Sequence, residues 1–159
     1  MIVYCTGDIF LTKSQGIAHG CNCMGIMGAG VAYTIKNIYS NVYRTYRNRC
    51  LGNMFKPGDV YIDRTYDKWI INMATQNKFH DANMKWINKC FEWIIKNKDV
   101  EKLNSFAIPR IGCGLGGLTW DIVKKESVEK YFRDSDINVF VYEEYVKMYQ
   151  SPEEKEYYE

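Results

Sequence analysis

Two glycine-rich runs contain the residues of this sequence best suited to chemistry. The first is Gly20-Cys21-Asn22-Cys23-Met24-Gly25-Ile26-Met27-Gly28-Ala29-Gly30, and the second is Gly112-Cys113-Gly114-Leu115-Gly116-Gly117-Leu118. Glycine lets the backbone take positive φ and lets a ligand approach with no Cβ in the way. Successive backbone amides at a helix start form a nest for phosphate oxygens, reinforced by the helix dipole. Two such loops facing each other at the carboxyl ends of parallel strands can clamp a diphosphate. That edge is where open α/β sheets bind their ligands.

Gly112, Gly114 and Gly117 fit G-x-G-x-x-G, but the run falls late in the chain. A dinucleotide fingerprint belongs in the first strand–helix unit, with an acidic residue on a following strand. No G-x-x-x-x-G-K-[ST] run occurs, which excludes a P-loop nucleotidase. The remaining reactive side chains are few. Cys5, Cys21, Cys23, Cys50, Cys90 and Cys113 are scattered without paired metal-ligand spacing, and His19 and His80 do not complete a set. Buried free thiols and no bound metal are expected. Imidazole gains and loses a proton readily near neutrality, so His80 is a candidate acid or base. His19, inside a strand, reads as a hydrogen-bonded core residue. Arg44, Arg47 and Arg49 give the second helix a basic face, expected to be solvated.

The elements that must position these loops alternate. Ile2–Thr6 reads as a strand and Gly16–Asn22 as a short one that runs into the first loop. Val31–Tyr39 has helical spacing, and Ser40 or Asn41 is placed to cap a second helix toward Cys50. Asp59–Arg64 and Trp69–Ala74 are strand-like runs joined by a turn. Ala82–Lys98 is amphipathic, with Trp86, Ile87, Cys90, Trp93 and Ile94 on one stripe. Phe106–Pro109 is a short buried strand, and Thr119 reads as the N-cap of a helix over Trp120–Phe132. Ile137–Tyr142 is the last strand. Trp86, Trp93 and Trp120 are expected to pack in the core. This order predicts a three-layer α/β/α fold around a mixed, mostly parallel sheet.

At 159 residues the chain fits one domain, residues 1–142, and an acidic tail or short appended helix over 143–159. The net charge of +2 argues against a dedicated nucleic-acid coat and allows a small anion held by backbone groups. No run approaches the ~20 apolar residues of a membrane helix, and the N-terminus lacks a basic leader. A monomer in the cytoplasm is expected, with no membrane partner.

Three runs carry a resemblance to a known family. Gly7-Asp8-Ile9 opens the chain. Ile17-Ala18-His19-Gly20-Cys21-Asn22-Cys23 precedes Met27-Gly28-Ala29-Gly30-Val31-Ala32. Ile108-Pro109-Arg110-Ile111 leads into the second glycine run and Thr119-Trp120. Together they resemble the macro domain family over roughly Met1 to Tyr142. The wording is most similar to the branch holding the yeast ADP-ribose 1″-phosphate phosphatase and the terminal ADP-ribose glutamate hydrolase, with the antitoxin that reverses DNA ADP-ribosylation nearby and phage members similar.

The resemblance implies that ADP-ribose, with no cofactor, is the ligand. It implies that Asp8 and Ile9 meet adenine and that Asn22 faces the distal ribose. Gly28, Ala29, Gly30 and Val31 would wrap the diphosphate together with Gly112, Cys113, Gly114, Leu115, Gly116, Gly117 and Leu118. It also exposes departures. The lysine that the glutamate hydrolase and the antitoxin place after the middle strand is Gln76 or its neighbour Thr75 here, and the hydrolase's second-loop acidic residue is Gly116. Gln76 cannot act as an amine nucleophile. The expected activity is therefore hydrolysis of ADP-ribose 1″-phosphate by water, with Asn22 and His80 as the catalytic candidates. Removal of ADP-ribose from protein or nucleic acid, non-catalytic ADP-ribose binding and a dinucleotide-dependent oxidoreductase are the alternatives.

Overall fold

A computed structural model describes the whole chain, Met1–Glu159. Strand β1 (Ile2–Gly7) leads through a short 3-10 turn (Ile9–Leu11) to β2 (Gly16–Cys21), and helices α1 (Gly30–Ile38) and α2 (Ser40–Leu51) follow. Strands β3 (Val60–Arg64) and β4 (Trp69–Ala74) precede α3 (Met84–Glu101) and β5 (Ser105–Ile108). A continuous helical stretch comes next: α4 (Trp120–Val123), a π-helical turn (Lys124–Glu129) and α5 (Lys130–Phe132). The chain ends with β6 (Asn138–Tyr145) and α6 (Pro152–Tyr158).

The six strands form one sheet in the order β1-β6-β5-β2-β4-β3. All neighbours are parallel except β3, which returns antiparallel to β4. The two-residue period of the strands divides the core between the faces. Ala18, Ile71, Phe106, Val139 and Val141 pack under α3 and the α4–α5 stretch, around Ile87, Phe91, Ile94 and Phe132. Ile17, Ile70, Ala107, Phe140 and Tyr142 face the other way, against Ile35 and Val42. A third cluster, Cys21, Met27, Tyr46, Phe55, Tyr61 and Ala74, lies beneath the first glycine loop. This is the expected three-layer mixed sheet.

Some local expectations change. Tyr39, not Ser40 or Asn41, stands at the N-cap of α2 and makes no side-chain cap bond, because α1 and α2 meet with a single residue between them. Thr119 sits at the start of α4 in extended conformation, and its hydroxyl does not cap the helix. Asn83 does cap α3, accepting from the Trp86 amide. Trp93 and Trp120 pack at the edge of the main core, while Trp86 is only half-buried.

The segment after residue 142 is integrated into the fold. β6 continues to Tyr145, and α6 starts at Ser151, whose hydroxyl accepts from the Glu154 amide, with Pro152 in the first turn. Glu154 is fully buried and accepts from the Thr12 hydroxyl, the Lys13 amide and the Tyr142 hydroxyl. Tyr157 and Tyr158 close over Phe140.

Candidate functional site

The topology places four loops at one edge. β1, β2, β4 and β5 belong to a parallel set, so the segments leaving their carboxyl ends emerge on the same side of the sheet. These segments hold Asp8, the first glycine loop, residues 75–83 and the second glycine loop. β2 and β5 are adjacent, which sets the two glycine loops side by side.

The amides of both loops are available. Gly28 and Ala29 donate to no carbonyl, and Gly30 and Val31 occupy the first turn of α1, whose N–H groups have no intrahelical acceptor. In the second loop Cys113, Gly117 and Leu118 bond within the turn, leaving the amides of Gly114, Leu115 and Gly116 free. A Cβ added at Gly114 would meet nothing within 4 Å. Gly116 is the opposite case: its Cβ would lie 2.6 Å from both the Ala82 Cβ and the Gly112 carbonyl oxygen. An acidic side chain cannot enter position 116 unless this loop moves.

Asn22 is buried at the foot of the first loop, and its carboxamide is largely committed. Its Oδ1 accepts from the Met24 amide at 2.9 Å and the Tyr46 hydroxyl at 2.7 Å, and its Nδ2 donates to the Ile26 carbonyl at 2.9 Å. A carboxamide has two lone pairs and two N–H bonds. Both lone pairs of Oδ1 and one N–H of Nδ2 are therefore used within the protein, and one N–H remains.

Asp8 is likewise buried and engaged. It accepts from the Phe10 amide at 3.0 Å and the Met148 amide at 2.7 Å, while its own N–H donates to the Tyr149 carbonyl. A carboxylate offers about four acceptor positions, so further donors can be accommodated. Ile9, fully buried, roots this turn in the core.

His80 is exposed and backbone-strained, with φ of 59°. Its Nδ1 lies 2.8 Å from the Leu115 carbonyl oxygen, joining the loop after β4 to the second glycine loop. A carbonyl only accepts, so Nδ1 carries a proton in this contact. His19 is fully buried against Asn72 Oδ1 at 2.8 Å, and desolvation lowers its pKa to about 4. It is a neutral core residue. The thiols are poor nucleophiles: burial raises Cys113 to about 11 and Cys23 to about 12. Gln76 occupies the start of the 75–83 loop, where its amide donates to the Cys21 carbonyl.

The site therefore brings Asp8, Asn22, His80 and both glycine loops to one edge. Sequence reading missed the residues that brace it. Tyr46, Met148 and Tyr149 hold Asn22 and Asp8, and Asp81 accepts the amides of Asn77 and Lys78. Tyr46 sits four residues after Val42 and reads as an ordinary core residue, so nothing in the spacing marks its hydroxyl. A groove of about 340 Å³ lined by Arg49, Tyr61, Lys89 and Trp93 runs beside edge strand β3, and none of the expected ligand residues line it.

The macro domain model matches residues 18–126, which span both glycine loops. This chain belongs to the macro domain family. The DNA ADP-ribosyl glycohydrolase of Mycobacterium tuberculosis is 27% identical over 149 residues, covering 89% of this chain and 42% of that protein. This macro domain thus spans less than half of that relative. The human ADP-ribose glycohydrolase OARD1 is 28% identical, with 89% of this chain and 90% of that protein covered. The solved structure of Thermosipho africanus DarTG in complex with ADP-ribose superposes with a TM-score of 0.80 at 27% identity, covering 89% of this chain and 41% of that one. A yeast ADP-ribose 1″-phosphate phosphatase, from Meyerozyma guilliermondii, is more distant at 24% identity over 79% of this chain and 93% of that protein. The phosphatase part of the expected branch thus has only a distant match.

Proposed function

We propose that this macro domain binds ADP-ribose and hydrolyses the bond from the distal-ribose C1″ to its substituent. The observation that carries this reading is the pair of glycine loops with free amides at adjacent strand ends. A diphosphate is the anion that two facing amide nests suit. In this reading the amides of Gly28, Ala29, Gly30 and Val31 hold one phosphate. The second loop, Gly112 through Leu118, holds the other. Asp8 accepts from the adenine amino group beside Ile9, and the remaining N–H of Asn22 points to the distal ribose.

Catalysis then rests on positioning and on water. His80 Nε2 takes a proton from a water molecule, the water oxygen bonds to C1″, and the bond to the leaving group breaks with its electron pair. The proton passes from His80 to the leaving group. Gln76 offers no amine, and position 116 has no room for an acid, so a covalent lysine route has no residues here.

A second reading gives the leaving group as inorganic phosphate from ADP-ribose 1″-phosphate. The missing lysine and acid favour it, because a phosphate leaving group needs less help than an amine. Both readings are tested by incubating the protein with ADP-ribosylated peptide, ADP-ribosylated oligonucleotide and ADP-ribose 1″-phosphate. Release of ADP-ribose from a macromolecule supports the first, and release of phosphate supports the second. ADP-ribose binding with no turnover of any of the three would leave a non-catalytic module.

A further inference from the structure

Strand β3 stands at an edge of the sheet, with β4 on one side and no strand on the other. The Ala74 amide donates to the Asp59 carbonyl at 2.8 Å, and the Thr65 amide donates to the Lys68 carbonyl at 3.3 Å. With Tyr61 opposite Asn72 and Asp63 opposite Ile70, these two bonds set the phase of the ladder. Asp59, Tyr61, Asp63 and Thr65 turn their backbone groups toward β4, so Val60 and Ile62 turn theirs outward. No loop or helix backbone bonds the outward groups. An edge of this kind is a template for a further strand. Only its far end is closed, by Arg64, which stacks over Trp69 at 4.4 Å and pairs with Glu101 at 2.6 Å.

The groove of about 340 Å³ beside this edge has walls from two helices: Arg49 on α2, and Lys89, Trp93 and Lys96 on α3. Tyr61 packs toward the α2 side and Val60 and Ile62 toward the α3 side, so the strand runs between the walls. Arg49, Lys89 and Lys96 are exposed, and none of them joins an ion pair, whereas Arg64, Lys98, Lys124 and Arg133 all do. The carboxylates lining the groove are already engaged: Asp59 accepts from the Lys56 amide and Glu92 from the Tyr131 hydroxyl. Apolar surface lies among the free cations, since Met54 is 69% exposed and Trp93 is half-buried. Beneath the Arg49 guanidinium, 4.2 Å from the ring centre, Tyr61 carries a buried hydroxyl with no hydrogen-bond partner.

We infer that an extended, acidic segment of a partner protein docks in this groove as a seventh strand beside β3. Its backbone bonds the outward groups of Val60 and Ile62. Its side chains alternate between the two walls, with carboxylates meeting Arg49 on one and Lys89 and Lys96 on the other, and an apolar residue resting on Met54 or Trp93. In strand addition the main-chain bonds supply affinity, and the alternate side chains supply specificity. A second copy of this chain is the competing occupant. Pairing two copies through β3 would bring two sets of the same free cations to one interface, and like charges there repel. None of the ligand-loop residues lines this groove, so the inference does not depend on the ADP-ribose reading.

The test uses a labelled peptide of about 10 residues alternating glutamate and valine, long enough to span a strand of about 5–6. Fluorescence anisotropy is followed from about 0.05 M to 0.2 M salt, with a lysine–valine peptide as the control. Wild type binds the acidic peptide, more weakly as salt rises, and does not bind the basic one. Lys89→Glu combined with Lys96→Glu changes two exposed, unpaired side chains and weakens binding about tenfold. Ile62→Pro deletes one outward N–H, a change an edge strand tolerates, and also weakens binding. Hydrogen exchange on wild type gives a readout free of any mutation. The Val60 and Ile62 amides exchange more slowly with the acidic peptide bound, while those of Tyr61 and Asp63, already facing β4, do not change.

No binding of the acidic peptide at the lowest salt would overturn the inference, as would equal binding of the basic one. Binding that leaves the Val60 and Ile62 amides unprotected would overturn it too, because the peptide would then rest elsewhere. Protection of these amides without peptide, in a protein that sediments as a dimer, would reassign the edge to a second copy.

Discussion

Tyr46→Phe removes a single oxygen and tests how the first loop is held. The Tyr46 ring is fully buried, so phenylalanine fills the same space and leaves no cavity. The hydroxyl lies 2.7 Å from Asn22 Oδ1, 2.9 Å from the Asn22 carbonyl and 3.4 Å from the Ile26 carbonyl. After the change Oδ1 keeps the Met24 amide and Ile26 keeps the Asn22 Nδ2, but the Asn22 carbonyl has no other donor. One orphaned buried acceptor costs about 1–3 kcal/mol. Urea unfolding should therefore show a loss near the middle of that range with the m-value unchanged. If the loop loosens by the same amount in the folded state, ADP-ribose affinity falls about tenfold, since about 1.4 kcal/mol is a factor of ten. Tyr43→Phe on the same helix is the control, because the Tyr43 hydroxyl makes no hydrogen bond and the change should be neutral. A Tyr46→Phe protein with wild-type midpoint and wild-type affinity would refute the idea that this hydroxyl organises the loop.

Three further outcomes follow from particular contacts. The buried His19 is neutral in the fold with a pKa near 4, below the ordinary 6.5, because of desolvation. The unfolded chain therefore takes up a proton first: stability from this group is complete above pH 6.5, falls as pH drops toward 4, and the total loss is about 3 kcal/mol. His19→Gln should lack that part of the acid dependence in denaturation curves taken between these pH values. Glu154→Ala leaves the Tyr142 hydroxyl and the Lys13 amide without an acceptor and removes one from the Thr12 hydroxyl, so unfolding free energy should drop by about 3 kcal/mol. Combining Gln76→Lys with Gly116→Asp should not install a lysine route, because the Ala82 Cβ and Gly112 oxygen at 2.6 Å exclude the acid, and thermal unfolding should show a destabilised protein.

Much of the fold was legible because its signals are local. The near-continuous apolar runs Ile70–Ala74 and Val139–Tyr142 report strands covered on both faces, and the Ala82–Lys98 stripe reports one buried helix face. The glycine runs were legible for a related reason: free amides need residues that tolerate close approach, and composition displays that directly. What escaped was set by contacts distant in sequence. The Asn22–Tyr46 and Asp8–Met148 bonds span 24 and 140 positions, and no spacing rule reports them. The C-terminal helix had a readable start in Ser151-Pro152 with Glu154 three residues on. Its anchoring did not, because an acidic run reads as solvated until Thr12, Lys13 and Tyr142 are seen to surround one of its carboxylates.

The central claim is that ligand occupies the space between the two glycine loops, and Gly114→Leu tests it most directly. A Cβ at that position meets no protein atom within 4 Å, and φ there is not in the left-handed region. The account predicts an unfolding midpoint at the wild-type value together with loss of the ADP-ribose binding heat in calorimetry. Wild-type affinity for ADP-ribose in a folded Gly114→Leu protein would contradict it.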